Sequence, residues 1–152
     1  MSKQKILPNG LEEDVISRAY KKELTRHQTD LIGEIKRFLV QPIAEDVKSA
    51  HAEIFPDEYG DGYVGIGLYL QGVTTKHIGF ADYVRDLPGI DVFAYQEKDV
   101  SIPDLVVNLV KHWFAKSWFK AGGWDYPLEI EVNGHDGFGD GESIALTSKK
   151  LT

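Results

Sequence analysis

The sequence predicts an α+β fold, with N-terminal helices and an antiparallel β-sheet packed against one long helix in the C-terminal half. Three observations carry that expectation. Apolar residues recur at helical spacing from about Leu11 to Phe55. The period then changes to two, most plainly in Tyr63–Leu70. A second helical stripe over Ile102–Ala121 is followed by two further alternating runs, which segregates helices and strands as an α+β fold does.

Residues 1–8 read as a frayed terminus of a single domain spanning 1–152. In the first helix, Leu24, Leu31 and Phe38 recur every seven residues, with Ile35, Ile16 and Val15 on the same stripe and charge on the other face. Asn9 suits the N-cap and Glu12 a capping box, while Gly33 is a place where the helix could break. Pro42 stops this helix and opens a second, in which Ile43, Val47, Ala50 and Ile54 follow helical spacing until Pro56.

In the first strand Val64, Ile66, Leu68 and Leu70 make one aliphatic face. Gly65 and Gly67 on the other face suggest a bulge or a close packing partner. Gln71-Gly72 turns into a strand near Val73–Ile78, residues 80–87 read as a short helix, and Ile90–Gln96 as another strand. In the long helix Ser101 and Asp104 resemble a capping box and Gly122-Gly123 supplies the stop. Its apolar face runs through Ile102, Val106, Val110, Trp113, Phe114 and Trp118. Asp104, Asn108, Lys111, His112, Lys116 and Lys120 form the polar face. Leu128–Val132 and Ser143–Thr147 close the sheet as strands with one wet face.

Composition excludes several chemistries. Without cysteine there is no thiolate nucleophile, disulfide or Cys-ligated zinc. The opening residues have no apolar core of a secretory signal, and no apolar run reaches bilayer length, so the expected location is cytoplasmic. Net charge is −7, and residues 121–147 hold six acids and no lysine or arginine. Such a field disfavours nucleic acid and anionic membranes and favours a basic protein surface or a cation, though acidity also serves solubility alone.

The stretch Asn133–Glu142 combines four glycines, three acids and a histidine. One reading is a hairpin loop, because Asn-Gly favours tight turns. Another is a hard-cation site for calcium or magnesium, with His135, Asp136, Asp140 and Glu142 as ligands. The EF-hand pattern fails, since Phe138 occupies a ligand position and Thr147 stands where glutamate is required. A second acidic loop carries Asp57, Glu58 and Asp61. Among the five histidines, none pairs at HExxH spacing, and only His135 sits among acids. No nucleophile elbow, P-loop or dinucleotide fingerprint is present. Trp113, Phe114, Trp118, Phe119 and Trp124 form either a binding platform or a core, with Phe119 and Trp124 off the best face.

These features fit a non-catalytic protein-binding module that presents Asp57, Glu58, Asp61, Asp136, Phe138, Asp140 and Glu142 to a basic partner. Small acidic α+β domains of this kind occur among bacterial antitoxin and immunity proteins, an analogy of composition only. The alternatives are a metal-dependent hydrolase built on the 133–142 loop and a structural or assembly subunit.

Overall fold

The computed structural model describes residues 12–56, 64–80 and 101–148. The expected Asn9 cap, the Asp57–Asp61 loop, most of the 80–87 helix and the Ile90–Gln96 strand lie outside the described residues.

Helix α1 runs unbroken over Glu13–Leu39 with Glu12 at its N-cap, so the expected break at Gly33 does not occur. Its buried stripe is Ile16, Tyr20, Leu24, Leu31, Ile35 and Phe38, the face the seven-residue recurrence points to. The second expected helix does not form. Ser49–Pro56 is strand β1. Ala50, Ala52 and Ile54 are buried and alternate with His51, Glu53 and Phe55, so the segment carries a period of two beneath the apparent helical spacing. Pairing on both sides decides between the two periods: β1 bonds β2 (Val64–Gln71) antiparallel and β4 (Glu131–Gly134) parallel.

Strand β3 (Thr75–Phe80) pairs with β2, and β5 (Ile144–Ala145) pairs with β4, both antiparallel. The order is β3-β2-β1-β4-β5. The sheet is therefore mixed, not purely antiparallel. A parallel β1–β4 pair needs a crossover connection, and helix α2 (Ile102–Lys120) lies within it. Two long helices serve the sheet where one was expected. Among the described residues, neither is long and apolar enough to cross a membrane.

One sheet face is dry. Ala52, Ile54, Ile66, Leu68, Phe80 and Val132 meet buried side chains of α1 and α2 there. Trp118 is the hub of this layer: it is fully buried, and its ring centroid lies 6.0 Å from Phe38, 5.9 Å from Tyr126 and 6.1 Å from Phe114. Its indole N–H donates to the Leu146 carbonyl at 2.9 Å, so the polar edge of the ring is satisfied where the chain passes β5. Phe119 and Trp124 are exposed as their spacing implies, and they touch each other edge to face.

At the start of α2, Ser101 Oγ accepts from the Asp104 amide at 3.3 Å. Asp104 does not complete a reciprocal box; its carboxylate accepts instead from the Gly139 amide at 2.9 Å. Ser101→Ala is expected to cost about 0.5–2 kcal/mol and to reduce amide-exchange protection at residues 104–106. Trp118→Ala is expected to cost about 3–5 kcal/mol, read as a lower chemical-denaturation midpoint; an unchanged midpoint would remove Trp118 from the core.

Candidate functional site

The acidic loop is bonded to α2, while Asp136, Asp140 and Glu142 stay exposed. Asp104, Asn108 and Lys111 recur at i, i+4 and i+7, one face of the helix. Asn108 Oδ1 accepts from the Asp140 amide at 2.9 Å. Lys111 Nζ donates to Asp140 Oδ1 at 2.5 Å and to the Glu142 carbonyl at 2.7 Å. Lys111 is fully buried, which corrects its assignment to a solvated polar face. The Glu142 amide donates to the same Asp140 oxygen at 2.9 Å. These bonds hold the Asp140 carboxyl below the usual aspartate range, with the Lys111 hydrogen bond the largest cause.

The chain reaches this geometry through left-handed backbone at Asp136 (φ 52°), Gly137, Gly139 and Gly141. Asn133-Gly134 is not the turn; both belong to β4. Phe138, expected to be exposed, is half-buried against the core. The proposed hard-cation set is not assembled: His135 and Asp136 face one way, Asp140 is bound to Lys111, and Glu142 contributes backbone groups to that pairing. Among the described residues no three His, Asp or Glu side chains converge as metal ligands. Asp57, Glu58 and Asp61 lie outside the described residues.

The side chains that do converge sit on the sheet face turned away from the helices. His51, Tyr69 and His77 are direct cross-strand partners on β1, β2 and β3. The His51 and Tyr69 rings stack at 5.0 Å and 18°, and Tyr69 and His77 are also 5.0 Å apart. The next row reads Asn133, Glu53, Gly67 and Gly79 across β4, β1, β2 and β3. Two of its four positions carry no side chain. His77 leans into the space over Gly67, where an added Cβ would stand 2.8 Å from its Nε2. The close approach expected at the paired glycines is therefore made by a histidine. Gly65 faces Phe55 across the strands and has open space above it.

Glu53 sits at the centre of this surface. Its carboxylate lies 3.0 Å from His135 Nδ1 and 3.7 Å from His51 Nε2. His135 Nε2 faces Asp136 at 3.2 Å, and its ring lies 4.6 Å from Phe55. Both ring nitrogens of His135 thus meet carboxylates. Burial, and secondarily the charge of Glu53, pushes the Tyr69 phenol upward, so it stays a neutral donor and stacking surface.

A groove of about 290 Å³ adjoins the rings, lined by His51, Asn133, Glu129, Glu131 and Lys48 among others. The Asn133 side-chain oxygen is buried and has no hydrogen-bond donor. Sequence reasoning missed Glu53 and His51 because it read β1 as helix, and without β1 the row that joins them to Tyr69 and Asn133 was not visible. The available signal was the alternation Ala50, Ala52, Ile54 against His51, Glu53, Phe55.

Removing the Asp140 charge leaves Lys111 buried and unpaired, whereas removing both charges leaves no such defect. Asp140→Asn is therefore expected to lower the melting temperature at neutral pH more than Lys111→Met does, with the double variant recovering part of the loss. The folded-state value of Asp140 lies below the unfolded one, so its contribution is present above the ordinary aspartate range and is lost as pH falls through the folded value. The deficit of Asp140→Asn should shrink on acidification; a pH-independent deficit would contradict the pairing.

Comparison with known proteins places these features in a family. No curated protein and no solved structure matches the chain. One family model matches residues 15–148, which takes in α2, all five strands and all but the first two residues of α1. The chain therefore belongs to the family described as a family of unknown function, DUF6389.

Proposed function

We propose that the protein is a non-catalytic binding module whose open sheet face receives an arginine-bearing segment of a basic protein partner. The observation that carries this reading is the buried, donor-less Asn133 oxygen in a groove where two carboxylates, Glu129 and Glu131, outnumber the one cation, Lys48, beside His51. A buried acceptor without a donor is costly, and a partner that brings N–H groups removes the cost. Arginine fits best among the side chains. Its guanidinium is flat, carries five donors and no acceptor, stacks on aromatic rings and pairs with carboxylates. The face offers each counterpart: the stacked His51 and Tyr69 rings, the Glu53 carboxylate and the Asn133 carbonyl. The net charge of −7 supports attraction at long range. The loop acids contribute less than their number suggests, because Asp140 already neutralises Lys111.

The partner's identity can be replaced by a chemical probe. An oligo-arginine peptide is expected to shift the amide resonances of residues 51–55, 67–71 and 131–135, and an oligo-lysine peptide of equal length to bind less tightly. Glu53→Gln combined with Tyr69→Ala should weaken oligo-arginine binding about tenfold with the fold retained by circular dichroism. Binding should also fall as salt rises from about 50 to 300 mM. Equal binding of both peptides, or shifts confined to residues 136–142, would overturn the assignment to the open face.

A further inference from the structure

A second cavity lies in the helical layer, between α1 and α2, and its chemistry is opposite to that of the sheet face. Its volume is about 380 Å³, within the range of small-molecule sites. Leu24, Leu109 and Trp113 supply its apolar wall, and Lys21, His112 and Lys116 supply charge or donors. None of the residues lining it is acidic. In a chain of net charge −7 that is a marked local reversal. Among the described residues, neither Lys21 nor Lys116 forms an ion pair, while Arg18, Arg26 and Lys111 each do.

Trp113 gives the second, independent indication. The residue is more than nine-tenths buried, and its indole N–H has no acceptor. Trp118, five residues further along the same helix, has its indole N–H satisfied by Leu146. The fold therefore supplies an acceptor to one buried indole and none to the other, the one that lines a cavity. A donor, two unpaired ammonium groups and an apolar wall together specify an occupant with an anionic acceptor at one end and a flat apolar body. We infer that this cavity binds a small organic carboxylate with an aromatic or branched apolar body, its carboxylate held between Lys21 and Lys116 and within reach of the Trp113 indole N–H.

The site is separate from the sheet face and does not depend on the reading given to it. The test uses the full chain, labelled with nitrogen-15, and titrates 2-naphthoate, its neutral amide and inorganic phosphate in parallel. The expected result is a shift of the Trp113 indole resonance and of amides in 21–28 and 108–116 with naphthoate, and affinity about tenfold weaker for the amide. Lys21→Gln with Lys116→Gln should weaken naphthoate about tenfold at unchanged melting temperature, because both residues are exposed. Trp113→Phe should abolish the indole response, and the lysine pair keeps the test valid if that variant unfolds. Equal affinity for acid and amide, an equal response to phosphate alone, or no response at millimolar ligand would each overturn the proposal. Oligo-arginine binding to the sheet face should be unaffected by the two lysine substitutions, so failure of one site leaves the other standing.

Discussion

A buried ammonium group organises the C-terminal third of this protein. Lys111 is fully enclosed, and an ion taken out of water must find oxygen partners or deform the fold. Asp140 and the Glu142 carbonyl are those partners, and reaching them requires the chain after β4 to double back across α2. The left-handed residues between 136 and 141 are what that path demands. The same path sets His135 beside Glu53 and carries the chain on to β5, where Leu146 receives the Trp118 N–H. Asp140 of this loop thus serves as the internal counter-charge of Lys111.

The open sheet face follows a different constraint. With both helices packed on one side, the outward residues of β1 and β2 must satisfy one another laterally. Glycine at 67 and 79 leaves room in the row of Glu53, and the neighbouring histidine tilts into part of it. The result is a surface of rings standing around one carboxylate, half-buried without being sealed. Such a surface is rigid enough to hold a geometry and open enough to accept a ligand, which a row of β-branched residues would not be.

What the sequence revealed, and what it hid, depended on whether local period and tertiary pairing agreed. They agree in α1, α2 and β2, and these elements were legible to within a few residues. They disagree in β1, where Ala50 and Ile54 satisfy both a helical and an alternating pattern, and only bonding to β2 and β4 chooses between them. Losing β1 also lost the parallel pair, and with it the cross-strand row that carries Glu53 and Tyr69. Lys111 was hidden for another reason: a lysine flanked by Asn108 and His112 looks solvated, and only the returning loop reveals its partner. The loop acids were found, but their role could not be read from spacing, because the cation that engages Asp140 lies 29 residues earlier in the chain.

Two buried polar atoms among the described residues lack a partner, Asn133 Oδ1 and Trp113 Nε1. Each such atom costs about 1–3 kcal/mol relative to a satisfied one, a large fraction of a domain's net stability. The same fold satisfies comparable groups close by: the Trp118 N–H, the Lys111 ammonium and the Thr147 hydroxyl, which accepts from the Ile130 amide. The defects are therefore not a general looseness of packing. Each orphan lines a cavity, and the two cavities differ in electrostatic character: two carboxylates and one ammonium group, Lys48, beside the orphan acceptor, and ammonium groups with no carboxylate beside the orphan donor. An unsatisfied acceptor next to acids asks for a cationic donor, and an unsatisfied donor next to lysines asks for an anion. That pairing of each orphan with surrounding charge of the same preference is what argues for two ligand sites on opposite sides of one sheet.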